Sequence, residues 1–371
     1  MKDYIVPFDY LSIFFNPLLK AGLTVTFTVE APVINDLSLC DFSLTNDGPE
    51  INSIVEARTY REHTEKLPSK TYKGYILDEI PDYGHFKDAF FISGVLNPVG
   101  LDVLLGFIKD AAKQSVVKGG DVFYIAFDTN VLRDRIYTLY LREYCDAPNV
   151  DFILSETVRS ELTNREGKIR KKRADELSQI FGPAAYNFNN QNVLADRLRY
   201  FGFLEYNRLR HETDCDQLEQ PAGDAVSKDE AIIRAYAEFA QESPHRKVLL
   251  VSRDNEFIRM SSSLPDVIPV ILESRFPEKL PEYLACSYNK LFSFIYYLSV
   301  VYGRINLTVK NHNLYEINGV WPQKNVNQWE NDYIKVSANT DLPYLNTVDS
   351  QINILTKMKY KKVQENFPII D

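Results

Sequence analysis

Four acidic side chains carry the strongest chemical signal in this sequence: Asp128, Glu161, Asp229 and Asp254. Asp128 follows the apolar run YIAF and precedes a helical pattern. It therefore falls at the carboxyl end of a strand, where open α/β sheets place their ligands. Asp254 stands in the same relation to VLLVS. Asp229 lies in the first turn of a helix, behind the capping-box pattern of Ser227 and Glu230. Glu161 follows a strand by about two helical turns, with Val158 and Leu162 facing inward beside it. Carboxylates gathered at one end of a sheet repel one another, and proteins tolerate them when a hard divalent cation neutralises the charge. Mg²⁺ and Mn²⁺ are the natural guests. Acting on a phosphodiester, such ions polarise the phosphoryl oxygens, activate water and stabilise the leaving oxygen, so no covalent protein nucleophile is needed. Plainer readings compete at each position: an N-cap for Asp128, a solvated helix residue for Glu161, a dipole partner for Asp229 and a turn residue for Asp254. Any single plain reading can hold; all four holding together is the weaker account.

The elements that must position these acids are legible between residues 121 and 273. Apolar runs at 122–127 (VFYIAF), 151–155 (DFILS), 247–252 (KVLLVS) and 267–272 (VIPVIL) read as strands, and their near-continuous hydrophobicity predicts burial on both faces. Helical patterns separate them. Leu132, Ile136, Leu139 and Tyr140 share one side of a helix after the first strand, and Ile232, Ile233, Tyr236, Ala237 and Ala240 share one side of a helix over 229–241. Strands alternating with helices predict an α/β fold, a three-layer α/β/α arrangement around a mostly parallel sheet.

The DTN of FDTNVL, the Glu161 of SETVRSEL, the DEAIIRAYAEFA helix and the hydroxyl-x-Asp of LLVSRDNEF occur in the order and contexts of a PIN domain. Residues 120–273 thus resemble that family, and both flanks lie outside the resemblance. The resemblance implies a metal-dependent nuclease, an endonuclease most often acting on RNA. Asp128, Glu161, Asp229 and Asp254 become its acidic metal-site residues, Asn130 braces the Asp128 turn, and Ser252 hydrogen-bonds into the cluster. The sequence departs from compact members in the long stretch between Glu161 and Asp229, where Asp224 competes with Asp229 for its role. Three other readings remain open: a catalytically silent PIN-fold scaffold, a nucleic-acid-binding protein, or a structure-specific DNA nuclease.

That long stretch also holds the basic run NREGKIRKKRADEL, with Arg165, Lys168, Arg170, Lys171, Lys172 and Arg173. It is a local exception in a chain of net charge −9. Phosphate contacts that position a strand without reading bases are the function it suggests, and a solvated helix face is the competing reading. In RLRYFGFLEYNRLR, arginines alternate with Tyr200, Phe201, Phe203 and Tyr206; base stacking is conceivable there, but aromatics at that density are more often core. The terminal Lys357, Lys359, Lys361 and Lys362 read as an electrostatic tail or a plain soluble end, with the latter preferred.

The remaining sequence mainly excludes. The acidic net charge argues against coating duplex DNA by bulk electrostatics. The five histidines show no zinc spacing, and phosphate-loop, dinucleotide and nucleophile-elbow motifs do not occur. Four widely spaced cysteines form no disulfide framework and favour a reducing, cytoplasmic compartment. The apolar stretch at 291–302 is too short to span a bilayer and reads as a buried helix, so no membrane partner is expected. RNA is the expected substrate, single-stranded or structured, and the further partners this reading allows are an inhibitor protein or a second copy of the chain. With 371 residues, against about 150 for one domain, the chain is divided into an N-terminal α+β region (1–120), a PIN-like domain (121–273) and a C-terminal mixed region (274–371).

Overall fold

The computed structural model describes the chain except for residues 21–23, 46, 68–77, 115, 165–166, 214, 220–226, 280, 311 and 367–371; for residues 20, 116, 181 and 358–366 it describes the backbone alone. The described strands, in chain order, are β1 (Lys2–Pro7), β2 (Val25–Ala31), β3 (Leu37–Thr45), β4 (Gly48–Asn52), β5 (Val122–Phe127), β6 (Val150–Ser155), β7 (Asp216–Leu218), β8 (Arg246–Ser252), β9 (Val267–Ile271), β10 (Tyr283–Ala285), β11 (Arg304–Val309), β12 (His312–Asn318) and β13 (Tyr333–Ala338). They fall into two separately packed units: Met1–Phe86 with Lys168–Gln191 and Lys279–Asp371, and Lys87–Gly167 with Asn192–Glu278.

The first unit gathers stretches that the sequence reading kept in separate regions, and strand pairing is the reason. Its antiparallel sheet runs β1-β13-β12-β11-β2-β3-β4-β10, so strands from the two ends of the chain alternate across it. Lys2 pairs with Ala338, and Asn306 pairs with Glu30. The alternation of Val25–Ala31 places Phe27, Val29 and Ala31 inside and leaves the threonines on the wetter face. The helix Tyr288–Val301 is buried along nearly its whole length, as its uniform hydrophobicity requires. Among the described residues no helix is long and apolar enough to cross a membrane. Residues 168–191 join this unit through contacts such as Asn187 Nδ2 to Asn318 Oδ1 at 2.5 Å.

The second unit is built on a parallel sheet of order β7-β6-β5-β8-β9. Its central strands are apolar throughout because helices cover the sheet: Ile125, Ala126 and Phe127 of β5 and Val248 to Val251 of β8 are fully buried. Starting from β5 the chain builds outward to β6 and β7, then crosses back to add β8 and β9 on the other side. The order reverses between β5 and β8, and a doubly wound sheet opens its ligand crevice at such a switch point. Pro269 sits in the edge strand β9, where a missing N–H costs no ladder bond on the open side.

Two local features depart from expectation. The helix Leu101–Ala111 belongs to the parallel-sheet unit: Leu104, Ile108 and Ala111 enter its core, and Val99 bridges to Glu273. The helix after β5 is short, Thr129–Arg133, because Arg135 adopts a left-handed φ of 59° before a wider π turn at Tyr137–Leu141. Leu132 and Ile136 still face the core across that break.

Candidate active site

Asp128 terminates β5 and caps the helix Thr129–Arg133, its Oδ1 accepting the N–H of Val131 at 2.8 Å. Its Oδ2 accepts the hydroxyl of Ser252 at the end of the neighbouring strand β8. The same Ser252 Oγ accepts the N–H of Asp254 at 3.0 Å. One buried hydroxyl therefore joins the two loops of the switch point. Asp254 in turn caps the helix Asn255–Ser261 through the N–H of Glu256 at 2.7 Å. Capping and placement at the crevice coincide for both aspartates, so the plain structural role and the functional one are not alternatives. Glu161 projects from the helix Glu156–Thr163, accepts the hydroxyl of Thr129, and lies 3.8 Å from Lys228 Nζ. Asp229 stands exposed in the first turn of the helix Lys228–Gln241, which Ser227 caps.

These four carboxylates line one cavity of about 340 Å³ together with Asn130. The brace expected of Asn130 comes from its backbone, one of three N–H groups, with those of Val131 and Arg253, that hold the Asp128 carboxylate. Burial raises Asp128 above the ordinary carboxylate range, while Ser252 and those N–H groups pull it back. Asp229 is also raised, first by burial and then by the negative charges of Glu161 and Asp254. Asp229, Glu161 and Asp254 thus act on one another through their charges.

Oxygen-only, carboxylate-rich and mutually repelling, this donor set fits a hard divalent cation in its chemistry. Its spacing differs from the single metal-sized cluster expected from the sequence: among the described residues, no group of three His, Cys, Asp or Glu side chains is spaced to hold a metal ion. The reason is local. Asp128, Glu161 and Asp254 each turn toward a nearer donor, respectively Ser252, Thr129 and the Glu256 N–H.

Three cations share the cavity wall: Arg133, Arg199 and Lys228. Arg133 and Lys228 went unread in the sequence, although Lys228 adjoins Asp229 and Arg133 lies one helical turn beyond Thr129. Arg199 comes from the helix Leu194–Glu212, whose Gly202 packs so closely that an added Cβ would stand 2.6 Å from Leu162 Cδ2 and 3.0 Å from Arg133 Cγ. A further brace passes from Arg253 Nη1 to Asp134 Oδ1 and Oδ2, at 2.9 and 2.8 Å, tying the β8 loop to the end of the Asp128-capped helix. Burial pushes Asp134 up to about 7 against the pull of the Arg253 charge.

The basic residues Lys168, Arg170, Lys171, Lys172 and Arg173 belong to the other unit and do not line this cavity. The first four are exposed; Arg173 pairs with Glu79 at 3.3 Å. Arg165 and Asp224 lie outside the described residues. Tyr200, Phe201 and Tyr206 are buried and Phe203 packs partly buried against the core, so this aromatic stretch is core and not a stacking platform. Lys357 is exposed, and the side chains of Lys359, Lys361 and Lys362 lie outside the described residues.

A parallel α/β domain with an acid-lined crevice at its switch point is what fold and site define. Residues 125–263 match the family model for the PIN domain, and the chain carries a PIN domain over that stretch. PIN domains are in general nucleases. No curated protein and no solved structure matches the chain.

Proposed function

We propose that the protein is a metal-dependent endonuclease that hydrolyses phosphodiester bonds in RNA. The observation that carries this reading is the meeting of Asp128, Glu161, Asp229 and Asp254 on one cavity whose wall also bears arginine and lysine. Acids alone would repel a polyanion; acids beside cations suit a phosphate and its counter-ion together. Asp128, Asp229 and Asp254, with Glu161 beside them, are the residues that would hold Mg²⁺ or Mn²⁺, which when bound supplies phosphoryl polarisation and a more acidic attacking water.

The chain's own groups do the positioning. Ser252 fixes the Asp128 carboxylate and, through the Asp254 N–H, sets the second loop in register with the first. Thr129 and Lys228 hold the Glu161 carboxylate in the cavity, where it can accept a proton from water attacking phosphorus. The exposed Lys168, Arg170, Lys171 and Lys172 are proposed as a second, weaker phosphate-contacting patch. Cytoplasmic residence is proposed as well, in keeping with four unpaired cysteines.

The test is cleavage of labelled single-stranded RNA and matched DNA by the full chain, in Mn²⁺ and in chelator, beside the Asp128→Asn protein. Cleavage of RNA that requires the metal and the Asp128 carboxylate supports the reading. Metal-dependent cleavage confined to DNA would change the substrate, and a protein that binds but never cuts would be the scaffold.

A further inference from the structure

The acids account for only part of the cavity wall. The same wall carries Arg133 and Arg199, two positive charges from segments far apart in sequence. Burial lowers Arg133 from its ordinary value, and the charge of Arg199 lowers it further. The Nε of Arg133 is buried with no hydrogen-bond partner. The charges of Glu161, Asp134 and Asp128 act on Arg133 in the opposite sense, while the hydrogen bonds and ion pairs of Glu161 go to Thr129 and Lys228 and those of Asp134 to Arg253. Arg199 is held in place from behind, its Nη1 donating to the carbonyl of Asn164 at 2.9 Å and to the buried Asp196 at 3.2 Å. Asp196 itself accepts the N–H of Gly167 at 2.9 Å.

The docking of the two arginine-bearing segments is built into the backbone. Gly202 lies one helical turn beyond Arg199, and the absence of its side chain admits the Cγ and backbone N of Arg133. A side chain at 202 would meet Leu162 and Arg133, so it would displace the Arg133 side chain or the helix that carries Arg199. Two arginines on one polar cavity wall, the Nε of Arg133 without a hydrogen-bond partner, can take a common anion, and a phosphate offers several acceptor oxygens in the geometry that arginine forks match.

We propose that Arg133 and Arg199 form a phosphate clamp that grips the RNA backbone at a phosphate adjoining the one presented to the acids. The clamp rests on the nuclease reading of this cavity for the identity of its ligand. It assigns a binding role to the helix that the long stretch between Glu161 and Asp229 contributes, and it makes the phosphodiester strand, in preference to a free nucleotide base, the recognised feature. Lys228 stands at the exposed rim and serves Glu161, so it is outside the clamp.

The test measures binding of a short fluorescent single-stranded oligoribonucleotide, over a range of salt, to full-length protein carrying Asp128→Asn in magnesium. Adding Arg133→Gln or Arg199→Gln should weaken binding about tenfold each, the loss of one charge-assisted contact. Each should also flatten the salt slope by about 0.7, the value for one neutralised phosphate on a single strand. A set of oligonucleotides with one neutral methylphosphonate at successive positions, tested without any arginine change, should show one position that costs a similar factor. At that position Arg199→Gln should cost nothing further. Arg199→Lys should restore much of the salt slope while recovering less of the affinity, because the fork is lost and the charge retained. Unchanged affinity and slope in both glutamine variants, or a methylphosphonate penalty that adds fully to Arg199→Gln at every position, overturns the clamp. The nuclease reading is judged separately by cleavage with the unsubstituted protein. Arginine-dependent binding without cleavage keeps the clamp and ends that reading, cleavage without arginine dependence does the reverse, and neither binding nor cleavage ends both.

Discussion

Ser252 is the most economical place to perturb the site, because one fully buried hydroxyl serves both switch-point aspartates. In Ser252→Ala the Asp128 carboxylate loses a hydrogen bond to a charged group, worth about 1.5–3 kcal/mol, and the Asp254 N–H loses an acceptor worth about 0.5–1.5 kcal/mol. The side chain is small and its replacement leaves no cavity to collapse, so these polar losses dominate. A destabilisation of about 2–4 kcal/mol is expected, or a fall of about 4–16 °C in Tm for a domain of this general size. Because Ser252 counters the effect of burial on Asp128, its removal should raise that carboxylate further. Activity should then fall at neutral pH and recover in part as pH rises, so the acidic limb of the rate profile moves upward. Thermal melts of metal-free protein and a pH series of cleavage rates measure the two effects. An unchanged Tm together with an unmoved acidic limb would show that the hydroxyl does not couple the two loops, and the geometric argument for the site would fail with it.

In Asp128→Asn, cleavage should drop by orders of magnitude while the fold persists, as circular dichroism would show. The sign of its stability effect follows from burial: a folded-state value raised above the ordinary one of about 3.9 means that metal-free protein loses stability as pH climbs from there through the raised value, and the asparagine should remove that loss. Replacing Lys168, Arg170, Lys171 and Lys172 together by glutamine should weaken substrate binding and flatten its salt dependence with turnover at saturation little changed; equal KM and salt slope would reduce that patch to a solvated face. Gly202→Ala gains about 1 kcal/mol of helix propensity and costs about 1–3 kcal/mol of overpacking against Leu162 and Arg133. Its stability should therefore change by no more than about 2 kcal/mol in loss while KM rises clearly, whereas a stabilised variant with native KM would show the contact to be slack.

The parts of this molecule that sequence reveals are those whose determinants are local. Strands β5, β6 and β8 are largely buried on both faces, which forces near-continuous apolar runs and makes their carboxyl ends, and hence Asp128 and Asp254, readable. Strand β7 escaped notice because DQL offers three residues, mostly exposed, with one apolar side chain. The partition of the chain escaped because it is decided by pairing such as β1 with β13, a contact between opposite ends of the sequence that no local pattern announces. The cationic part of the cavity wall was hidden for the same reason. Arg133 sits just before a helix break at Arg135, and Arg199 comes to the same cavity on a distant helix that packs on Arg133 at Gly202. RLRYFGFLEYNRLR drew attention for its aromatics, which turn out to anchor that helix in the core. What those aromatics do for the site is set the helix rotation: with Tyr200, Phe201 and Tyr206 turned into the core, Arg199 reaches the wall of the cavity that the acids also line.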